Sequence, residues 1–279
     1  MKKSALYFLP TTVLIGMATS IPALAQAPPQ IIKIIREEVR PGRDAPHEQN
    51  ESDYAKALKK AGYVNYLGMT TVSGPREAWF LEYYPSYAGV ETARALTDKQ
   101  PAKSELEQLD VRDAESISGS RTLLAVYQKD LSFMPERPRG KLHFISVQIV
   151  RVRMGRAADY AKLRAMVNGA NSARGIKGRQ LVYSVASGAP TGTYIVLRAL
   201  ESLKELDPDP SVRPLSQAMG AGPYAEFQKL LGETELSSES MIFAVSPAMS
   251  YPAQEMVDED PSFWSVPPAP ATAAKKKTK

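Results

Sequence analysis

Ile32-Lys33-Ile34-Ile35-Arg36-Glu37-Glu38-Val39-Arg40-Pro41-Gly42-Arg43 is a β-branched run closed by a Gly-Arg turn, and the same shape returns in Ile145-Ser146-Val147-Gln148-Ile149-Val150-Arg151-Val152-Arg153-Met154-Gly155-Arg156. A self-similar stretch at long separation marks an internal repeat, and it governs how everything between is read. Both runs are followed by Asp-Tyr-Ala-Lys, at residues 53–56 and 159–162. Leu67-Gly68-Met69-Thr70-Thr71-Val72-Ser73-Gly74 then lines up with Leu181-Val182-Tyr183-Ser184-Val185-Ala186-Ser187-Gly188, and Leu124-Ala125-Val126-Tyr127 with Phe243-Ala244-Val245-Ser246. Both last strands end near a Ser-aromatic pair, Ser132-Phe133 and Ser250-Tyr251. The order is kept and the spacing drifts only by loop lengths, so the chain reads as one module written twice.

Within each half the pattern predicts a strand over 31–39 or 144–152, then a helix over 54–61 or 160–167. Ser52 or Asp53 serves as the expected first cap, and Gly62 as the stop. Two strands follow, 66–72 and 78–84 in the first half, 181–186 and 193–200 in the second, each pair joined by a Gly/Pro break. A second helical stretch (86–95 with 104–113, or 224–231) and a last strand (122–128 or 241–245) close each half. This β-α-β-β-α-β order is the ferredoxin-like unit. Both faces of the 66–71 stretch are largely apolar or aromatic, so the sheet face away from the helices also needs cover. The expected fold class is therefore α+β: two tandem ferredoxin-like modules, 26–138 and 139–253, whose antiparallel sheets pack face to face as an intrachain α+β barrel.

The ends read differently. Lys2 and Lys3, an apolar run to Met17, and Ala23-Leu24-Ala25 make the three parts of a signal peptide over 1–25, too short in its apolar part to span a bilayer. The expected location is periplasmic or secreted, with no membrane span in the mature chain. Residues 254–279 combine acids, a Pro/Ala run and Lys275-Lys276-Lys277, which reads as a disordered tail in which Phe263 and Trp264 are the residues able to dock on the body. The formal charge of +5 falls to +3 without Lys2 and Lys3, and the basic residues are spread along the body, which argues against a nucleic-acid surface. With no cysteine, disulfides, thiolate metal sites and thiol nucleophiles are excluded.

The run 36–43 with His47-Glu48, then Met69-Thr70-Thr71-Val72-Ser73-Gly74-Pro75 and Glu77-Ala78-Trp79-Phe80-Leu81, resembles uncharacterised exported bacterial proteins of the dimeric α+β barrel superfamily, over roughly residues 30–250. That superfamily includes antibiotic-biosynthesis-type monooxygenases, haem-degrading enzymes, muconolactone isomerases and NIPSNAP-like proteins, so the resemblance implies a fold more strongly than an activity.

His47 is the leading single candidate for chemistry, as a proton carrier, haem ligand or hydrogen bonder. Its polar surroundings, Asp44-Ala45-Pro46-His47-Glu48, favour an exposed histidine entering a helix. The second histidine of a zinc H-E-x-x-H motif is missing, and no spacing proposes a metal set. His143 reads as a linker residue. Arg36, Glu38, Arg151 and Arg153 interrupt β-rich runs. Aligning the halves pairs Glu38 with Arg151, which suggests either a docking pair at the pseudo-twofold axis or a pocket for an anion, against plain strand ends facing water. Tyr66, Trp79, Tyr83, Tyr183 and Tyr194 either fill the core or line a cavity between sheet and helices. Asn50-Glu51-Ser52 matches a glycosylation acceptor pattern short enough to arise by chance.

His47, Tyr66, Trp79, Arg36, Glu38 and Arg151 are thus the candidate ligand-binding residues. No catalytic set, cofactor or metal is assigned. The expected function is a small-molecule-binding or structural module without catalysis, its partner a small apolar or aromatic molecule. The alternative is a monooxygenase-like or haem-handling enzyme with His47 and Trp79 near the substrate. The duplication supplies the pairing that single modules obtain by dimerising, so a monomer or weak homodimer is expected.

Overall fold

The protein is described from a computed structural model over residues 28–63, 65–135 and 141–265. The expected signal peptide and residues 266–279 of the expected tail lie outside the described residues. The first half runs β1 (Ile31–Val39), α1 (Asp44–Lys60), β2 (Tyr66–Ser73), β3 (Glu77–Tyr84), α2 (Tyr87–Thr97), α3 (Ala102–Asp113) and β4 (Ile117–Tyr127). The second half runs β5 (Phe144–Val152), α4 (Ala157–Ala173), β6 (Leu181–Ser187), β7 (Thr193–Leu200), α5 (Leu215–Met219), α6 (Ala221–Thr234) and β8 (Glu235–Val245). Two short helices follow, α7 (Gln254–Glu259) and α8 (Pro261–Trp264). Among the described residues no helix is long and apolar enough to cross a membrane.

Each half forms a four-stranded antiparallel sheet, β4-β1-β3-β2 and β8-β5-β7-β6. The edges then pair across the halves, β2 with β8 and β4 with β6, so the strands close into one barrel. Closure removes the sheet edges that isolated modules would expose. Two equivalent staples hold the seams. Ser250 Oγ accepts from the Gly68 amide at 3.0 Å, and Ser132 Oγ accepts from the Val182 amide at 2.9 Å. Beside them Tyr251 bridges to Tyr66 and Phe133 to Gln180. The paired Ser-aromatic motifs of the sequence are these staples. Gly68 must be glycine, since a Cβ there would sit 2.6 Å from the Met249 carbonyl oxygen.

Strand alternation sorts the side chains. Ile32 and Ile34 point into the barrel with Met69, Trp79, Leu81, Ile145, Val147 and Phe243. Trp79 and Phe243 pack with ring centroids 4.9 Å apart, a contact worth about 1 kcal/mol beyond burial alone. Ile31, Val39, Ala55, Leu58, Tyr66 and Phe80 form a second core between the first sheet and its helices.

Several expectations are corrected. α1 starts at Asp44 rather than near residue 54. Pro46 falls in its first turn, where the missing amide has no intrahelical partner to lose. Asp53-Tyr54-Ala55-Lys56 therefore lies mid-helix, while Asp159-Tyr160-Ala161-Lys162 lies in the first turn of α4, and the two are not equivalent. The true correspondence is set by Gly42-Arg43 and Gly155-Arg156, each just before its helix. Matching C-terminal closures agree with it: Tyr63 donates to the Leu58 carbonyl at 2.9 Å and Ile176 to that of Asn171 at 3.0 Å, with Gly62 and Gly175 at positive φ. The last-strand match slips by one residue, since Ile32 faces Ala125 where Ile145 faces Phe243. Gln254–Glu259 and Pro261–Trp264 are helical, where a disordered tail is expected. Phe263 and Trp264 pack against the barrel core, and His143 Nε2 lies 2.8 Å from Asp260 Oδ2. His143 thus anchors the C-terminal segment.

Candidate functional site

α1 lies over the first sheet and turns a polar face inward. His47, Asn50, Glu51 and Ser52 are all buried on it. His47 and Glu51 are one turn apart, so both aim at the same spot. Glu37 on β1 points to the helix layer, opposite to Arg36 and Glu38, and Asp113 arrives from the last residue of α3. One ligating atom from each of Glu37, His47, Glu51 and Asp113 lies within 4.8 Å of the others.

His47 is 1% exposed, which corrects the expectation of a solvent-facing histidine. Its Nδ1–H donates to the Asp113 carboxylate, 3.0 and 3.1 Å from the two oxygens. Its ring and that of Phe80 meet edge to face at a centroid distance of 6.1 Å. Nε2 has no hydrogen-bond partner, nor has Oε2 of Glu37, and the two atoms lie 3.7 Å apart. Glu51 is oriented by Tyr66, whose hydroxyl donates to Oε2 at 3.0 Å, and by Asn50 Nδ2 at 3.4 Å from Oε1. Arg112 holds Asn50 in turn, Nε to Oδ1 at 2.6 Å. Among the described residues no Lys or Arg forms an ion pair with Glu37, Glu51 or Asp113. Burial, reinforced by Asp113 and Asp110, pushes Glu37 up to about 8. Burial, reinforced by Glu37, pushes Glu51 to about 8 as well, partly offset by His47.

A cleft of about 350 Å³ opens where α1 starts, lined by Val39, His47, Thr70, Thr71, Arg76 and Glu77 among others. A second, of about 230 Å³, is lined by Arg36, Glu38, Glu77, Gly119, Ser120 and Arg121. The six candidates of the sequence separate accordingly. His47 and Tyr66 meet in the buried cluster. Trp79 is fully buried in the barrel core, its Nε1–H donating to Glu77 Oε2 at 2.5 Å. Arg36 lies over the Trp79 ring and grips Glu77 with two hydrogen bonds, at 2.8 and 3.1 Å, so its fork is already occupied. Glu38 sits at the second cleft. Arg151 is exposed on β5, on the far side of the ring from β1, so the Glu38–Arg151 docking pair does not form. The halves join instead through strand seams.

Glu37, Glu51 and Asp113 were not candidates in the sequence. The His47-x-x-x-Glu51 spacing was the one available signal, and it is lost if α1 is started too late. By the helix correspondence the second half carries Val150, Tyr160 and Arg164 where the first has Glu37, His47 and Glu51. Val150 and Tyr160 there belong to an apolar cluster. The polar site is a property of one half.

No family model matches the chain, and no curated protein matches it. Solved structures do. A putative monooxygenase from Fusobacterium nucleatum subsp. nucleatum superposes with a TM-score of 0.52 at 10% identity, over 78% of this chain and 93% of that one. An anthrone oxidase-like protein gives 0.52 at 12% identity, over 78% and 91%. The chain has the dimeric α+β barrel fold. The dimeric α+β barrel is here completed within one chain, both ferredoxin-like sheets being contributed by the two halves. At such identities the likeness extends to the fold alone.

Proposed function

We propose that the chain is an exported small-molecule-binding module, its ligand held in the cleft beside His47 and its second half acting as scaffold. One observation carries this: the cleft opens beside the buried polar face of α1, whereas in the other half Val150 and Tyr160 stand in an apolar cluster and Arg164 is engaged by the Leu131 carbonyl and Gln180. Its size is at the lower end of ligand pockets, about 300 to 1,000 Å³, and Thr70, Thr71, Arg76 and Glu77 supply the few polar groups such a pocket uses for orientation. Export rests on the pattern of residues 1–25. Trp79 and Tyr66 support the barrel and the cluster rather than touching a ligand directly, being buried on all sides.

Native mass spectrometry of the protein after incubation with an environmental extract tests this reading. A bound species present in the native chain and absent from Thr70→Trp, which narrows the cleft, is the expected result. Uniformly ligand-free protein overturns it.

A monooxygenase-like or haem-handling activity is the second reading, favoured by the Asp113–His47 pair. A carboxylate holding Nδ1–H leaves Nε2 as the basic nitrogen, as in a proton carrier. A haem titration followed by absorbance separates the haem version: a Soret shift lost in His47→Ala supports it, and no shift removes it.

A further inference from the structure

We propose that Glu37, His47 and Glu51 bind one first-row divalent cation, with Asp113 holding the imidazole from behind. The inference goes beyond ligand binding in the cleft and stands whether or not the cleft is occupied.

The geometry is that of a ligand set awaiting its ion. His47 Nε2 is buried, has no hydrogen-bond partner and faces the equally unpartnered Oε2 of Glu37 across 3.7 Å. Metal bonds of about 2.0 to 2.2 Å to nitrogen and carboxylate oxygen span that gap with little movement. Glu51, one turn along α1, supplies the third group, all ligating atoms lying within 4.8 Å. Asp113 is also in this cluster, but its two oxygens are engaged by Nδ1–H, so it acts behind the ligand. That contact fixes the tautomer that leaves the Nε2 lone pair free. Tyr66 and Asn50 orient the Glu51 carboxylate in the same manner. Metal-bound histidines and carboxylates characteristically have such outer partners.

Charge points the same way. Three carboxylates converge in a buried place with no Lys or Arg ion pair to any of them among the described residues. A divalent cation compensates these carboxylates once they ionise to ligate it. One imidazole with two carboxylates suits Mn²⁺, Fe²⁺ or Zn²⁺ better than Mg²⁺ or Ca²⁺, which favour oxygen alone. The second half cannot repeat the site, since Val150 and Arg164 replace the two glutamates, so the stoichiometry is one ion per chain.

Mn²⁺ titrated into the whole chain after chelator treatment tests the proposal, with elemental analysis for stoichiometry and pulsed EPR for nitrogen coupling. One Mn²⁺ per chain is expected, with a ¹⁴N coupling that persists in His143→Gln, the protein's other histidine. Affinity is expected to fall tenfold or more in Glu51→Gln and by about tenfold in Asp113→Asn, with far-ultraviolet circular dichroism confirming the fold of each. Failure to bind stoichiometrically, binding without ¹⁴N coupling, or an affinity unchanged in a folded Glu51→Gln overturns it. The coupling in the native chain is decisive even where a variant does not fold. A metal-free result leaves ligand capture in the cleft untouched, and an unliganded cleft leaves the metal result untouched.

Discussion

His47 Nδ1 lies 3.0 Å from Asp113 Oδ1, joining the first turn of the first helix to the last residue of the third. The two are far apart in sequence, and the bond is buried at both ends. It fixes which imidazole nitrogen is free and closes the helix layer over the first sheet.

Removing the acceptor should therefore be costly. Asp113→Ala leaves a buried imidazole N–H without a partner, and the expected loss is about 1 to 3 kcal/mol of unfolding free energy. Urea unfolding of the metal-free protein measures it. A change below about 0.5 kcal/mol would show that water reaches the ring.

The glutamates predict an unusual pH dependence. Glu37 and Glu51 titrate near 8 in the folded, metal-free protein, against an ordinary value of 4.5. The folded state then holds more protons than the unfolded state between these limits. Stability from this pair is full below about 4.5 and declines as pH rises through 8. Unfolding midpoints in chelator should fall between pH 5.5 and 8.5 by the equivalent of more than about 1 kcal/mol. Glu51→Gln should flatten the slope, and a midpoint that rises over that interval would refute the assignment.

The seams offer a symmetric test. Ser132→Ala strips the acceptor from the Val182 amide, and Ser250→Ala strips it from that of Gly68. Each should cost about 1 to 3 kcal/mol. Because the two staples sit at separate seams, the double variant should add to within about 0.5 kcal/mol. Strong coupling between them would mean that the two halves open as one.

Docking of the C-terminal helices should depend on the Asp260 charge. The hydrogen bond from His143 holds the Asp260 carboxyl below the usual carboxylate range. Its contribution is present above the ordinary aspartate value and lost as pH falls through the depressed one. In a Trp79→Phe background Trp264 is the remaining tryptophan, and Asp260→Ala should shift its emission to the red at neutral pH. Emission identical to the parent would show that the ring contacts of Phe263 and His143, at 4.2 Å, suffice alone.

The strands were largely legible in the sequence. β1, β5 and β7 match their expected spans, because β-branched alternation is local information. The first helix was not, because Asp44, Pro46, Asn50 and Glu51 look like a loop until something covers their polar face. The site is no more legible: His47 stands out as a residue type, but its polar neighbours point it to solvent.

What the sequence determined by itself is the duplicated module, written in β-branched runs, Gly-Arg turns and Ser-aromatic pairs that act within a few residues of one another. Tertiary structure alone decided that the seams run β2 to β8 and β4 to β6, that Glu38 and Arg151 never meet, and that Glu37, His47, Glu51 and Asp113 do. The physical reason is range. Secondary structure follows from the pattern of neighbouring residues, whereas burial of a histidine among carboxylates requires a strand, and two helices packed over it, to be brought together by the whole chain.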